Sequence, residues 1–514
     1  MKKKVIIGSM LSISLLLSAC NESDNATADD TAAKDTTTET EQSDTENIEN
    51  DAVTSATYRE YTDIENLEDS YDVIIIGSGG AGLAAAIEAK DAGANPVVFE
   101  MMPVAGGNTK KSSAGMNASE TKFQEAAGIE DSNDAFFEET LAGGNETNNE
   151  ELLNYMVGHS AESIDWLDSI GITLDNLTTT GGMTVERTHR PSDGSAVGEY
   201  LVNGLLDNIE EREIPLFVNS EVTALLEEDG KMTGVEVLVN QTDERTISAE
   251  AVVVATGGFG ANFDMIVEQN PDLEGYVTTN HEGSVGTGIE MISSLGGDVV
   301  DMKDIQIHPT VEQSSGYLIT EAVRGEGAIL VSEEGTRFTN EMDTRDKVSA
   351  EIIALPEQKA YLIFDDGVKE RVLAIEKYEN EGFVVSGESI EELAEAMSLD
   401  ASSLKETVDT WNTTVSDGED AEFGRTTAMD EDLSTGSYHA VEIAPGVHHT
   451  MGGIRINTMT EVLKTDGNKV DGLYAAGELT GGIHGSNRIG GNAVADIIIF
   501  GRQAGKQAVD YLNN

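Results

Sequence analysis

The chain has 514 residues, with 95 Asp and Glu against 31 Lys and Arg, for a formal net charge of −64. So acidic a surface repels nucleic acid and anionic lipid, which argues against both as partners and suggests salty surroundings outside the cell, where screening tolerates self-repulsion. A single cysteine, Cys20, leaves no disulfide, no cysteine-ligated metal and no thiol nucleophile.

Residues 1–20 predict a lipoprotein signal peptide. Lys2, Lys3 and Lys4 form a positive start and Val5 to Leu17 an apolar core. Leu17-Ser18-Ala19-Cys20 then reads as a cleavage site whose cysteine takes the lipid. The apolar stretch is short for a membrane span. The expected location is the cell surface or another extracytoplasmic face, lipid-anchored to a bacterial membrane through Cys20. Residues 21–70 hold sixteen Asp and Glu against Lys34 and Arg59, among many Thr, Ser, Asn and Ala. Such a stretch buries too little apolar surface to order itself and predicts a disordered acidic linker. The charge divides into +3 for the leader, −14 for the linker and −53 for residues 71–514. That remaining length exceeds one ordinary core, so two domains are expected.

The most telling segment comes next, Tyr71-Asp-Val-Ile-Ile-Ile-Gly77-Ser-Gly79-Gly80-Ala-Gly82. Val73 to Ile76 is an unbroken β-branched run, as a strand buried on both faces requires. Gly77 allows the tight turn, Gly79 lets the backbone approach a pyrophosphate, and Gly82 lets the following helix, Ala81 to Ala92, pack on the strand. A second strand, Pro96 to Phe99, delivers Glu100, eighteen residues past Gly82 and placed for a ribose hydroxyl. Gly106-Gly107-Asn108-Thr109 and Ser112-Ser113-Ala114-Gly115-Met116-Asn117 form a second small-residue loop that can lie against a flat ring. Residues 133–170 carry apolar positions at helical spacing. Ala251 to Ala255 reads as a strand ending in Thr256-Gly257-Gly258, and Gly472 to Glu478 repeats the pattern. Three strand-then-glycine returns to one ligand site predict an α/β, doubly wound sheet interrupted by an insertion from near Lys303 to near His448. The insertion has its own strand (Lys359 to Phe364) and helices (Ser389 to Met397, Ala401 to Thr413).

The scarce cations gather in three places. These are Gln306-Ile-His308-Pro-Thr310; Thr320-Glu321-Ala-Val-Arg324 followed by Arg337 and Arg345; and His448-His449 with His484-Gly-Ser-Asn487-Arg488-Ile-Gly490-Gly491-Asn492. Four of the eight histidines fall here. Arginine grips a carboxylate through two parallel hydrogen bonds, so this set suits a small dianion with a carboxylate at each end. Each residue also has a plainer reading. His308 could be a capped loop histidine, and Arg324 and Arg345 could form structural bridges with Glu321 and Asp346. No carboxylate sits at ligand spacing from His448-His449, so no metal is expected. His189 and Arg190 are weaker candidates, facing a cofactor or a lid, while His159, His281 and His439 read as incidental.

Together these segments resemble the soluble fumarate reductase (flavocytochrome c flavoprotein) family, related to succinate dehydrogenase flavoprotein subunits and 3-ketosteroid dehydrogenases. The resemblance covers about residues 70–510. It implies a Rossmann-like FAD-binding domain (71–302 and 449–514) with an inserted α+β capping domain (303–448), and FAD bound non-covalently. On matching positions FAD touches Ala81, Glu100, Asn108, Thr109, Gly115, Ala255, Glu478 and Ala493, with Asn492 beside it. Substrate residues match His308, Thr320, Glu321, His449 and Arg488. The proton donor matches Arg345, fed through Glu321 and Arg324. The implied reaction is fumarate to succinate: hydride arrives from flavin N5 at one alkene carbon, and Arg345 protonates its neighbour. Guanidinium holds its proton tightly, so the relay is part of that expectation.

Departures are visible too. The family's Gly-Asp-Gly is here Gly286-Thr287-Gly288, which alters a polar FAD contact at Thr287, and a family Gly-Gly is here Ala114-Gly115. There is no Cys-x-x-Cys-His for haem and no segment for covalent flavin attachment, so a separate electron donor, a flavin carrier or cytochrome, is expected. Other enoates (urocanate, acrylate, methacrylate) remain open as substrates. So does a non-catalytic lipoprotein that binds FAD and a dicarboxylate.

Overall fold

A computed structural model describes residues 59–514. The expected leader, Cys20 and residues 21–58 of the expected linker lie outside the described residues.

Val73–Ile76 is buried along its whole length and pairs in parallel with Pro96–Phe99 on one side and Ala251–Val254 on the other. These three strands centre a nine-stranded sheet, in which Leu216–Phe217 flanks Pro96–Phe99 and Lys469–Ala475 flanks Ala251–Val254. The sheet continues through Lys231–Val239 to Ser220–Glu228, a meander whose polar outward positions mark it as half-solvated. The strands expected at Val73, Pro96 and Ala251 thus fall within a residue of their places, the one expected over Gly472 to Glu478 lies three residues earlier, and the three strand-then-glycine returns converge on one end of the sheet.

The first helix, Gly80–Asp91, begins one residue before its expected start. Its face of small residues (Ala81, Ala84, Ala85) lets the last helix, Asn492–Leu512, come into backbone contact. A Cβ on Gly501 would lie 2.5 Å from the Ala81 carbonyl oxygen, and one on Gly505 would lie 2.3 Å from that of Ala85. Residues 133–170 form three helices rather than one: Asn133–Gly143, Glu150–Gly158 and Ser160–Ser169, started by Ser132, Asn149 and His159. Ser132 and Asn149 accept backbone N–H bonds from the first turns of their helices, which is why the apolar spacing restarts there.

The linker boundary at residue 70 needs correction. Ile64–Asn66 forms a turn of 3₁₀-helix capped by Asp63, and Tyr61, Ile64 and Leu67 pack against the main core. The Tyr61 hydroxyl accepts from the Ala105 amide at 3.0 Å. Three apolar side chains and a few hydrogen bonds suffice to dock a segment whose average composition reads as disordered.

A second, six-stranded antiparallel sheet runs in the order Tyr317–Leu318, Ile305–Glu312, Tyr438–Thr450, Ala360–Asp365, Ile329–Val331, with Val385–Gly387 also on Tyr438–Thr450. Its core, around Trp411, Phe364 and Leu393, is separate from the main one and lies within residues 319–443. The long strands Ile305–Glu312 and Tyr438–Thr450 pair across two register shifts, at Gln306/Ile307 and between His308 and Val311. Bulges re-aim side chains, and here they fall on the histidine-bearing residues.

Gly501→Ala is expected to destabilise the protein. Overpacking costs about 1–3 kcal/mol, which exceeds the roughly 1 kcal/mol that alanine gains in a helix. A denaturant midpoint equal to or above that of the parent would show that the two helices can part without cost.

Candidate active site

The strand-to-helix turn at the end of Val73–Ile76 opens a cleft of about 770 Å³. Gly77 takes φ +101°, and a Cβ there would meet the Ala255 oxygen at 2.4 Å. Gly82 lies against the Gly77 carbonyl, where a Cβ would sit 2.0 Å away, so its role is helix-on-strand packing, as its spacing predicts. The cleft walls include Gly77, Gly79, Ala81, Glu100, Asn108, Thr109, Ala255, Thr287 and Glu478. Glu100 is nearly buried. One of its oxygens accepts from the Ser78 amide (3.0 Å) and hydroxyl (2.6 Å), the other from the Met102 amide (2.8 Å). The Thr109 hydroxyl accepts from the Gly80 amide at 2.9 Å, and the buried Thr256 hydroxyl on the cleft wall has no partner.

Ala114, Gly115, Asn492 and Ala493 are not on these walls. Gly115 is pressed on the His189 carbonyl, and Asn492 is fully buried, bonded to Asn117 (2.7 Å) and Thr140 (3.3 Å). Asn492 is a packing residue. His281, expected to be incidental, does line the cleft, and burial with help from Lys111 pushes it down to about 4, leaving a neutral ring. His189 instead bonds Thr121 and the Arg187 carbonyl within the core, and His439 pairs with Asp366 and Ser386.

Glu478 joins the cleft to the cationic cluster. One carboxylate oxygen lies 3.4 Å from Asn108 Nδ2; the other accepts from the Thr450 amide at 3.1 Å and lies 3.5 Å from His449 Nδ1. Burial raises its pKa above the usual carboxylate range.

The expected substrate residues come together here. Arg345 opens the helix Arg345–Ala354 and clasps Glu321 through two nitrogens, Nε at 2.7 Å and Nη2 at 3.3 Å. Its third nitrogen, Nη1, donates to Gln306 Oε1 at 3.0 Å, and Arg488 Nη2 approaches the same oxygen at 3.3 Å. Gln306 thus holds two guanidiniums on one acceptor. Arg324 lies 3.6 Å from Glu321 and donates to the Glu341 carbonyl at 2.5 Å. His308 Nε2 stands 3.7 Å from Glu321, and its ring meets His448 edge-on with centroids 5.3 Å apart. Thr320 is buried beside Glu321, its amide donating to the Tyr378 hydroxyl at 3.0 Å. A Cβ on Gly490 would lie 2.8 Å from Thr180 Oγ1, 3.2 Å from Glu321 and 3.3 Å from Arg345, so only glycine leaves this arrangement open.

Cationic crowding sets the protonation states. Burial alone would raise Glu321, but Arg345 and Arg324 overcome it and hold the carboxyl down at about 2. Burial lowers His308, His448 and His449 well below the ordinary imidazole value, and the neighbouring guanidiniums lower them further. Burial, then Arg345, brings Arg488 down to about 9. Four polar atoms of this cluster, His308 Nε2, His449 Nε2, Arg324 Nε and Arg488 Nε, are buried without a partner. Such orphans cost about 1–3 kcal/mol each, so four within one cluster of guanidiniums and imidazoles suit an anionic ligand.

Gln306 and His448 belong to the cluster too; the sequence places both in the cationic segments but gives neither a role at the substrate. Both lie on the bulged strand pair, where simple alternation misplaces side chains.

The family model described as FAD binding domain matches residues 72–494. The chain is 53% identical over 439 residues to the NADH:fumarate oxidoreductase of Klebsiella pneumoniae, covering 85% of this chain and 48% of that protein. It therefore spans about half the length of that relative. It is 44% identical over 444 residues to the fumarate reductase (cytochrome) of Shewanella frigidimarina, covering 86% of this chain and 78% of the relative. Among solved structures, the open conformation of a flavocytochrome c3 fumarate reductase superposes with a TM-score of 0.76 at 38% identity, covering 88% of this chain and 80% of that one. The cleft fits FAD on its own evidence. The forced glycine at 77, the open start of the Gly80–Asp91 helix, the acid at 100 and the unpartnered Thr256 hydroxyl suit a dinucleotide.

A dianion entering the cluster offsets the guanidinium charge, so the histidine and Arg488 pKa values must rise on binding. Succinate binding is expected to take up protons below pH 7 and again near pH 9, where Arg488 titrates. Calorimetry in buffers of differing ionisation enthalpy reads this directly; proton release at those pH values would refute the assignment.

Proposed function

The chain belongs to the FAD-binding flavoprotein family that includes the soluble fumarate reductases, and on that premise we propose that it reduces an enoate, fumarate foremost, to the saturated acid. The observation that carries this reading is the Arg345–Glu321 clasp held beside three histidines and Arg488, with partnerless nitrogens in the same cluster.

FAD bound in the cleft supplies a hydride to the alkene when reduced. Gly77, Gly79, Ala81, Glu100, Asn108, Thr109, Ala255 and Glu478 would hold it. The remaining work falls to the chain's own side chains. His308 and Thr320 bind one carboxylate and His449 and Arg488 the other, which orients the double bond and draws electron density from it. The neutral imidazoles act as hydrogen-bond donors rather than as cations. Arg345 gives a proton from its guanidinium to the carbon where negative charge develops. Glu321, an anion held at Arg345 by two hydrogen bonds, takes a proton from Arg324 on its far side and hands it to the deprotonated Arg345, and solvent returns the proton to Arg324. A non-catalytic receptor has no use for that chain of proton-holding groups, which favours an enzyme. Two carboxylate-binding ends, His308 with Thr320 and His449 with Arg488, favour a dicarboxylate over acrylate or methacrylate.

The lone cysteine leaves no c-type haem motif, so electrons reach this chain from outside its 514 residues, from a flavin carrier or cytochrome. The Lys2–Cys20 pattern supports a lipid-anchored, extracytoplasmic enzyme.

Anaerobically reduced holoprotein should reoxidise on adding fumarate, and more slowly with urocanate, acrylate, methacrylate or crotonate. A flavin that stays bleached with every one of these acids sinks the enzyme reading. Arg345→Ala should cut turnover about 100-fold or more while FAD stays bound, the loss expected for a missing general acid. Near-parental turnover would remove Arg345 from that role.

A further inference from the structure

Beyond Arg324 lies a buried group of charges that the reaction above leaves unused. Arg337, Glu341, Asp420 and Arg425 gather beside Trp411, which belongs to the core of the antiparallel sheet. Their side chains are at most 6% exposed. Both guanidiniums lie over Trp411, with their carbons 4.6 and 4.5 Å from the ring centroid. Two cations face two anions, so the group is neutral within itself. A buried ion cluster seldom exceeds apolar packing in stability, so stability alone is a weak reason for its presence.

The hydrogen bonds of Arg425 supply a better reason. All five of its guanidinium N–H groups have acceptors. Nε donates to the Thr427 carbonyl (3.1 Å), and Nη1 to the Ala328 carbonyl (3.0 Å) and Glu341 Oε2 (3.1 Å). Nη2 donates to the carbonyls of Ala428 (2.6 Å) and Arg324 (2.8 Å). One fork therefore holds Arg324 by its backbone and Glu341 by its carboxylate. Those two residues also meet directly, since Arg324 Nη1 donates to the Glu341 carbonyl at 2.5 Å. Arg337 adds bonds of 2.9 and 2.8 Å to the Glu341 carboxylate, and the Leu330 amide one of 3.2 Å. Glu341 in turn stands four residues before Arg345.

Among the described residues, no other hydrogen bond holds the Arg324 side chain. Its Nε is without a partner, and its Nη2 stands 3.6 Å from Glu321 Oε1. That gap lies just beyond hydrogen-bond reach, so a proton crossing it tolerates a small closing and no widening. Misplacing reacting groups by about 1 Å can cost about 100-fold in rate.

Resting on the enoate-reduction reading of this site, we propose that Arg425 is a positioning residue for the proton relay. Its fork braces Arg324 against Glu341 and so fixes the distance from Arg324 to Glu321. Arg425 touches no reacting atom; it acts through Arg324.

The test compares binding with turnover on the FAD-loaded protein. Succinate affinity reads the substrate site. The saturating rate at which fumarate reoxidises the reduced flavin, in light and heavy water, reads proton delivery. Arg425→Lys keeps the charge and loses the fork. Its saturating rate should fall about tenfold or more, with a larger solvent isotope effect than in the parent. Succinate affinity and the half-saturating fumarate concentration should stay within about twofold. Gly501→Ala, destabilised at the helix crossing, should keep the parental rate. A parental rate in Arg425→Lys, an equal loss of succinate affinity, or an equal loss of rate in Gly501→Ala would each overturn the proposal. If Arg425→Lys does not accumulate as holoprotein, Glu341→Gln keeps the backbone carbonyl, weakens the hold of Arg425 and carries the same expectation. Failure of both to fold would show a folding role and overturn the positioning one. A parent that no enoate reoxidises defeats the reaction reading and this proposal with it, whereas an active parent with an unaffected Arg425→Lys defeats this proposal alone.

Discussion

Everything at this site follows from burying more positive charge than the nearby carboxylates can neutralise. Three guanidiniums, Arg324, Arg345 and Arg488, are enclosed with three imidazoles, while Glu321 is the one carboxylate directly clasped. A chain of net charge −64 could have surrounded them with acids at no compositional cost. That it does not do so leaves a standing demand for an anion. The histidines remain neutral because burial and the neighbouring guanidiniums disfavour a further cation, and Arg324 and Arg488 lose part of their hold on the proton, first through burial and then through the charges around them.

The architecture keeps the two chemical tasks apart and then couples them at one residue. The parallel sheet offers its strand ends and a helix start to a dinucleotide, using backbone groups that need only glycine to be reachable. The antiparallel sheet instead contributes side chains, aimed by bulges between Ile305–Glu312 and Tyr438–Thr450. Glu478 bonds Asn108 on one side and stands near His449 on the other, so a shift in either half is felt in the other. Burial raises its pKa, which weakens its tendency to add a negative charge beside the cluster.

How far the sequence discloses this depends on the range of the interaction. Gly77, Gly82 and Glu100 are legible because a tight turn, a close helix crossing and a strand-end acid are set by neighbours within thirty residues. His308, Glu321, Arg345, His449 and Arg488 are legible as a group, because cations are scarce enough for their clustering to carry meaning. Gln306 is hidden because its importance is to be a shared acceptor for arginines 39 and 182 residues away. His448 is legible as one of the scarce cations, but its place beside His308 is set by a register shift that strand periodicity does not reveal. Residues 59–70 mislead in the opposite direction, since their composition is that of a linker while a few apolar side chains dock them.

The bare Cα of Gly490 has a consequence for how this scaffold can diversify. Because the space beside Glu321 and Arg345 is held open by a missing side chain, no substitution at that spot can narrow or re-shape the pocket without displacing the acid itself. Variation in what the cluster accepts must therefore come from positions other than 490, while the Arg345–Glu321 clasp stays fixed. Relatives that share this glycine would be free to change what they accept and constrained in how they protonate it.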